Sequence, residues 1–231
     1  MPNITHNINE VTTRWQKNAV KAGRNANAIN LLAVSKGQPI AAVEAAWRAG
    51  LRYFGENYLQ EALAKIAATA ALDIEWHFIG HMQTNKTRTI AEQFAWVHSV
   101  DRLKIAQRLS AQRPAHLPPL NICLQVNIDG EASKSGVPPE RVPALALAVA
   151  ALPRLRLRGL MVIPGPNPSV GNQRQSFRRT ADLLKQLQCF SPALASLDTL
   201  SMGMSDDMEA AIAEGATWIR IGTAIFGPRL K

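Results

Sequence analysis

The sequence is poor in cysteine and has no long hydrophobic run. Its two cysteines, Cys123 and Cys189, have no metal-ligand spacing, so neither a disulfide framework nor a zinc site is expected, and a reducing compartment is the default. The longest apolar run, about residues 142–153, is too short to span a bilayer, and the N-terminal residues lack the apolar core of a signal peptide. We therefore expect a cytoplasmic protein without a membrane partner.

Acidic residues are also scarce. Asp and Glu number 17 against 26 Lys and Arg, a formal net charge of +9. A basic balance is typical of proteins that bind nucleic acids or small anions. The basic residues are scattered, and the sequence contains no zinc-finger spacing and no aromatic-basic RNA motif. We therefore expect no nucleic-acid partner, whereas a small phosphorylated ligand fits the charge.

Short apolar runs alternate with helical patterns eight times along the chain, and one further helical pattern, residues 7–23, precedes them. Such alternation predicts a parallel sheet, and eight units predict closure into a (β/α)8 TIM barrel rather than an open doubly wound sheet, which remains the alternative. The composition shows no linker, so residues 1–231 are expected to form a single domain with an N-terminal helix. The predicted strands are 31–36, 53–57, 75–80, 96–100, 121–128, 155–163, 199–202 and 218–223.

Helix-terminating residues support this division. Pro39 is expected in the first turn of a helix, and Gly50 just past its end. Near the other end of the chain, Asp206 and Glu209 have the spacing of a capping box, and Gly215 is expected to close that helix.

The active site of such a barrel lies at the carboxyl ends of its strands. Lys36 ends the first predicted strand, and Leu32, Val34 and Lys36 share one face of it by strand alternation. If that face points into the barrel, desolvation lowers the pKa of the lysine and frees its amine to attack an aldehyde. A surface lysine that leads into a turn is the alternative for this segment taken alone.

The segments after strands seven and eight have the composition of a phosphate site. TIM barrels often bind phosphate there through backbone N–H groups and a helix N-terminus. Ser201 and Thr223 offer hydroxyls, Gly203 and Gly222 allow close backbone approach, and Arg220 shares a strand face with Gly222. Turn glycines with an ordinary helix cap are the alternative interpretation of either segment alone.

Histidines are few, and none has a partner that the sequence can identify. His77 lies inside a predicted strand, where a hydrogen-bonded core histidine is the alternative to a role in the site. His98, Asp101 and Asp129 follow strands without a Ser or Cys that the sequence places beside them. We therefore predict no catalytic triad and no metal site, and the sequence contains no dinucleotide fingerprint.

Motifs that span nearly the whole chain, in order, resemble those of the pyridoxal phosphate homeostasis proteins (the YggS/PROSC family), whose fold is like the barrel domain of alanine racemase. Each motif is modest alone, and jointly they are very specific. They are residues 32–36, 54–58, 76–80 with Gln83 and Asn85–Lys86, 98–101, 126–128 with Glu131, 133–136, 158–161, 200–209 and 220–229.

The resemblance implies a fold-type III site for pyridoxal 5'-phosphate (PLP), with the cofactor held covalently on Lys36 as an internal aldimine. It implies further cofactor contacts to the phosphate, the pyridine nitrogen and the surroundings of the ring. The residues in those three roles are, respectively, Ser201, Gly222 and Thr223; Arg220; and Asn57, Met202 and His77.

The chain departs from the family pattern at three places on the rim of the expected site. Gly37-Gln38 follows the lysine where Thr or Lys-type residues are more usual. His81-Met82 replaces a Pro-Leu-like pair, and residues 165–168 are unusual after strand six. No cofactor contact named above is removed, so the departures concern the rim alone.

The proteins of this family bind PLP, are generally monomeric and are thought to maintain cellular vitamin B6. An arginine opposite the ring nitrogen disfavours protonation of that nitrogen, which makes the ring a weaker electron sink. Racemisation also needs an acid or base on each face of the substrate carbon. In alanine racemase a separate domain of the partner chain supplies the second base, and we expect no room for that domain after Thr223.

We therefore expect a PLP-binding carrier or regulator without substantial catalysis, with PLP-dependent apo-enzymes as candidate partners. Two alternatives remain open at this point. One is an amino-acid racemase or other PLP-dependent enzyme, and the other is a phosphate-binding barrel that uses no PLP and in which Lys36 is structural.

Overall fold

The fold is a closed barrel of eight parallel strands, joined in sequence order. The computed structural model describes residues 3–131, 134–165 and 170–228. The strands are β1 (Asn30–Val34), β2 (Tyr53–Glu56), β3 (Glu75–Phe78), β4 (Trp96–Val100), β5 (Leu120–Val126), β6 (Leu155–Val162), β7 (Thr199–Ser201) and β8 (Trp218–Ile221). The helices are α1 (Ile4–Lys21), α2 (Ile40–Arg48), α3 (Leu59–Ala68), α4 (Thr87–Gln93), α5 (Leu103–Gln112), α6 (Val142–Ala150), α7 (Val170–Phe190), α8 (Met208–Ala213) and α9 (Thr223–Phe226).

The predicted TIM barrel is confirmed, and the open sheet is wrong. Strand β1 pairs in parallel with β8, with Leu32 opposite Arg220 and Ala33 opposite Ile221, and this pairing closes the barrel. Most strands end one or two residues before the predicted ends. The reason is local: Lys36, for example, already belongs to a turn rather than to β1.

The barrel wall separates two buried regions, because successive side chains of a strand point to opposite faces. Residues such as Leu31 and Ala33 face outward into the large cluster shared with the helices. The inward residues form a smaller cluster with a high aromatic content, namely Leu32, Trp96, Cys123, Met161 and Trp218. Every functional side chain must therefore lie on one side of this wall or the other.

The helix ends follow the sequence only in part. Gly50 and Gly215 lie past the ends of α2 and α8 with φ of +100° and +102°, as expected. Pro39 is the residue that caps α2 rather than a member of its first turn. The predicted capping box of α8 is wrong, because α8 begins at Met208 and its cap makes no side-chain hydrogen bond to the helix.

A long-range ion pair explains the lost capping box. Glu209 binds Arg14 of α1 through both carboxylate oxygens instead of reaching back along its own chain. Helix α1 is thereby held against α8, and the side chain of Asn7 donates to the carbonyl of Ile225 in α9 over 2.8 Å. In the part of the chain that the structure describes, no helix is long and apolar enough to cross a membrane.

Gly80 provides a test of the strand-end packing, since a Cβ at this position would lie 2.0 Å from the carbonyl oxygen of Asn57. We expect Gly80→Ala to lower the free energy of unfolding by about 3 kcal/mol, as for other overpacking substitutions. Gly23→Ala is the control, because its Cβ would meet nothing within 4 Å and only its φ of +66° is unfavourable. That change is expected to cost about 1 kcal/mol. Urea denaturation measures both free energies of unfolding. An equal decrease in Gly80→Ala and Gly23→Ala would contradict the close contact at Gly80.

Candidate functional site

A buried guanidinium lies inside the barrel at the carboxyl end of β8. Arg220 donates through Nη1 to Ser201 Oγ over 2.8 Å and through Nη2 to the carbonyl oxygen of Val162 over 2.9 Å. Among the described residues no carboxylate lies within salt-bridge distance of it. Burial lowers the pKa of Arg220 to about 10, so the group remains charged at neutral pH. The site therefore holds a buried positive charge whose hydrogen-bond partners are neutral.

A chain of hydrogen bonds leads from Arg220 down through the barrel interior. Ser201 Oγ lies 2.7 Å from His98 Nδ1, and His98 Nε2 lies 2.9 Å from His77 Nδ1. His77 Nε2 in turn lies 3.1 Å from Glu75 Oε1, at the amino end of β3. The chain connects the two ends of the barrel.

The proton positions along this chain follow from the partners at each step. The hydrogen bond from His77 holds the pKa of Glu75 below its usual range, so the carboxylate accepts and His77 carries its proton on Nε2. Desolvation lowers the pKa of both histidines, which are therefore neutral. His98 must then donate from Nε2 to His77, and Ser201 must donate its only hydroxyl proton to His98 Nδ1. In this structure the Ser201 hydroxyl is thus engaged within the barrel.

Aromatic rings enclose the two histidines. His77 stacks on Trp96 with ring centroids 5.5 Å apart and an interplanar angle of 5°. Trp218 packs against His77 at 4.7 Å and against His98 at 6.2 Å. This dry surrounding is what makes protonation of either ring unfavourable.

Lys36 lies two residues beyond β1 and is half-buried. Ser35 and Gln38 close a tight turn around it through a 3.0 Å bond from Gln38 N–H to the Ser35 carbonyl, and Gly37 takes a φ of +71° there. Leu32 of the same strand belongs to the interior cluster, so the inward face of β1 leads toward the turn that holds Lys36. Lys36 is thus neither a fully exposed lysine nor a member of the strand itself.

The segment after β8 adjoins the end of β1. A Cβ at Gly222 would lie 3.2 Å from the carbonyl oxygen of Val34, so the two backbones approach closely there. Gly222 caps α9 and Thr223 is its exposed first residue. The N–H groups of Ile225 and Phe226 donate to the Gly222 carbonyl, which among the described residues leaves the N–H groups of Thr223 and Ala224 for an anion.

The three residues predicted to surround the ring lie in different parts of the barrel. Asn57 follows β2, and its Oδ1 is buried with no hydrogen-bond partner among the described residues. His77 is inside the barrel, but it reaches Ser201 only through His98. Met202 is fully buried in the outer cluster together with Met208 of α8, so its side chain points away from the barrel interior. Ser201 contacts Arg220 directly and lies with Gly222 and Thr223 at the strand ends next to the Lys36 turn, whereas the side chains of His77 and Met202 lie apart from them.

Two features of the structure were not predicted from the sequence. His98 had no partner there, whereas the fold brings it to Ser201, which is 103 positions away. Lys65 and Glu56 form a buried ion pair of 2.7 Å behind the ends of β1 and β2. Glu61 and Lys65 are four residues apart, the spacing of an ordinary exposed helical ion pair. The sequence carried no signal that Lys65 is buried.

Those departures from the family pattern that fall on described residues lie at the rim of the candidate site. Gly37 has a local reason, since the turn after Lys36 requires a positive φ. The exposed His81 lies near Ser135, with Nδ1 and Oγ 3.5 Å apart. Gly165 N–H donates to Asp129 Oδ2 over 3.1 Å. Residues 166–168, Ser133 and Arg229 of the predicted motifs lie outside the described residues.

The buried histidines predict how stability depends on pH. Below about pH 6.5, the ordinary histidine pKa, the unfolded chain binds protons at His77 and His98 that the folded chain excludes. Stability is therefore full above that pH, and it falls by up to about 1.4 kcal/mol per pH unit for each histidine as the pH drops below it. Urea denaturation over a series of pH values measures this slope. A slope that persists unchanged in the His77→Gln/His98→Gln double variant would show that these histidines are not its source.

Comparison with known proteins gives consistent matches. The family model described as "Alanine racemase, N-terminal domain" matches residues 3–229. A pyridoxal phosphate homeostasis protein of Pseudomonas aeruginosa is 62% identical over 229 residues, which cover 99% of this chain and 97% of that protein. The corresponding protein of Escherichia coli K12 is 51% identical over 232 residues, covering 99% of this chain and 98% of that one.

A solved structure agrees with these relatives. The structure of PipY from Synechococcus elongatus with PLP bound superposes with a TM-score of 0.85 at 37% sequence identity, covering 97% of this chain and 100% of that chain. Fold, family model and relatives agree over nearly the whole length, and the chain belongs to the family of pyridoxal phosphate homeostasis proteins.

Proposed function

We propose that this protein binds PLP at the carboxyl end of the barrel, holds it as a Schiff base on Lys36 and serves PLP homeostasis without substantial catalysis. The observation that carries the proposal is the pairing of β1 with β8. It sets the inward side of the first strand, which leads to Lys36, beside Arg220 and the N-terminus of α9. The turn that carries Lys36, the buried guanidinium of Arg220 and the start of α9 thus lie at the adjoining ends of two neighbouring strands.

The residues present fit PLP in charge and in hydrogen bonding. The N–H groups at the start of α9 suit a phosphate dianion. Arg220, which lies among neutral partners, suits an unprotonated pyridine nitrogen as a hydrogen-bond donor. Asn57 Oδ1 is a buried acceptor without a partner among the described residues. When bound, PLP supplies an aldehyde that a lysine amine can capture.

The same arginine supports a carrier over a racemase. A guanidinium beside the ring nitrogen disfavours its protonation, and the unprotonated ring stabilises a substrate carbanion poorly. Racemisation further needs a second acid or base. Tyr53 packs edge-on against Trp218 inside the barrel at 5.0 Å. Tyr58 is exposed before α3. Within the described ranges neither tyrosine hydroxyl has a hydrogen-bond partner that would make it a base.

The covalent attachment is tested by trapping. Wild-type protein incubated with PLP and reduced with borohydride is expected to carry one PLP adduct on the Lys36 peptide in mass spectrometry. Lys36→Ala is expected to lose that adduct, while Lys185→Ala keeps it, because Lys185 is an exposed lysine of α7 that pairs with Asp182. An adduct retained in Lys36→Ala would contradict the assignment. Phosphate binding without any adduct would favour the barrel that uses no PLP.

Catalysis is tested separately. The PLP-loaded protein is expected to leave the enantiomeric composition of amino acids such as L-alanine unchanged, as measured by chiral chromatography. The reason is the weak electron sink and the lack of a tyrosine placed as a second base among the described residues. Racemisation that Lys36→Ala abolishes would favour the enzyme alternative.

The proposal also includes a cytoplasmic location and a monomeric state. A monomer has a mass of 25.2 kDa, which light scattering after size-exclusion chromatography measures directly. PLP-dependent apo-enzymes are the proposed recipients of the cofactor, in keeping with the homeostasis role for which the relatives are named.

A further inference from the structure

A buried cluster of charged side chains lies behind the turn that carries Lys36. Lys65 of α3 donates to Glu56 Oε1 over 2.7 Å and to Glu61 Oε1 over 2.6 Å. The side chains of Lys65 and Glu56 are 3% and 0% exposed. Glu56 ends β2 and Glu61 lies in the first turn of α3, so the cluster ties a strand end to a helix.

The cluster binds both neighbours of Lys36. On one side, the Ser35 carbonyl accepts from Lys65 Nζ over 2.6 Å and the Ser35 hydroxyl donates to Glu56 Oε1 over 2.6 Å. On the other side, Gly37 N–H donates to Glu61 Oε1 over 2.6 Å. The backbone is therefore fixed immediately before and immediately after Lys36.

All three donors of the Lys65 ammonium are used, on Ser35, Glu56 and Glu61. Burial nevertheless raises the pKa of Glu56, against the hydrogen bonds from Lys65 and Ser35 that lower it. Buried ion pairs of this kind are often no more stabilising than apolar residues of the same volume, although the loss of one partner is costly. In some proteins such buried groups specify one conformation, and the conformation that this cluster holds is that of the turn.

The cluster lies on the outer side of the barrel wall. Phe54, two residues before Glu56, and Ala33, two residues before Ser35, both belong to the outer cluster. By alternation Glu56 and Ser35 also face outward. A ligand inside the barrel therefore does not contact the cluster, and any influence of the cluster on such a ligand passes through the turn.

We propose that Lys65 and Glu61 are positioning residues, which lock residues 35–38 so that the Lys36 amine is held toward the barrel interior for attack on the PLP aldehyde. The inference rests on the proposed Schiff base at Lys36. In that reaction the neutral Nζ bonds to the aldehyde carbon, and the aldehyde oxygen leaves as water with the two amine hydrogens. A fixed turn shortens the search for the attacking geometry, and small misplacements of a reacting group cost large factors in rate.

The test separates binding from attack. The first-order rate constant of adduct formation at saturating PLP is measured by borohydride trapping, and affinity is measured calorimetrically with pyridoxine 5'-phosphate, which lacks the aldehyde. We expect Glu61→Ala, which removes the acceptor of Gly37 N–H, to slow adduct formation by about ten- to hundredfold. The affinity for pyridoxine 5'-phosphate is expected to change less than about twofold, because the phosphate and ring contacts are untouched.

Two further variants control for charge and for folding. Glu61→Gln keeps an acceptor oxygen for Gly37 N–H and is expected to recover most of the rate. Lys65→Met alone leaves Glu56 buried and unpaired, so the Lys65→Met/Glu56→Gln double variant is used to remove both charges together. It is expected to fold and to show the same slow attack.

The matched control is Glu44→Ala. Glu44 pairs with Arg48 four residues later on α2, as Glu61 pairs with Lys65 on α3, but that pair is at the surface. Its loss is expected to leave both rate and affinity unchanged.

Three outcomes would overturn the inference. The first is folded Glu61→Ala and double variants that form the adduct at the wild-type rate. The second is a rate that falls only in proportion to the affinity, which indicates general damage rather than positioning. A wild-type protein that forms no Lys36 adduct is the third, and it contradicts the proposed function itself.

Discussion

The first strand of the barrel pairs with the last, and the arrangement of the candidate site follows from this closure. It sets Leu32 opposite Arg220 and brings the end of β1 against Gly222. Without this closure the turn at Lys36 and the start of α9 would be two unrelated strand ends. With it, an amine, a buried guanidinium and a helix N-terminus share one mouth of the barrel.

The wall of the barrel then divides the polar groups into two sets with different tasks. Inside, Arg220 is linked through Ser201, His98 and His77 to Glu75, so the buried cation is held by neutral groups and the chain ends on a carboxylate at the other mouth. Outside, Lys65 holds the backbone that flanks Lys36. Both sets lie in dry surroundings, where each hydrogen bond restricts geometry more strongly than it would in water.

Sequence patterns predicted the strands and several site positions because these depend on local rules. Alternation predicted Leu32, Val34 and Lys36 on one inward face; Leu32 does lie in the interior cluster, while Lys36 lies in the turn beyond β1. Patterns failed where a partner is distant in the chain. Glu209 pairs with Arg14 instead of capping α8, and Ser201 forms a hydrogen bond with His98 across the barrel. No local rule specifies such contacts, because they exist only after closure.

Lys36 and Lys65 show most clearly the difference between what local sequence rules predict and what long-range contacts determine. Periodicity and backbone sterics were enough to predict the eight strand–helix units, the terminating glycines such as Gly50 and Gly215, and a lysine next to the end of the first strand. The closed barrel was needed to show that Lys65 is buried and holds the turn, that Met202 points away from the barrel interior, and that the hydroxyl of Ser201 is bound to His98. Burial and long-range hydrogen bonds depend on which surfaces the closed barrel brings together, and that is a property of the whole chain.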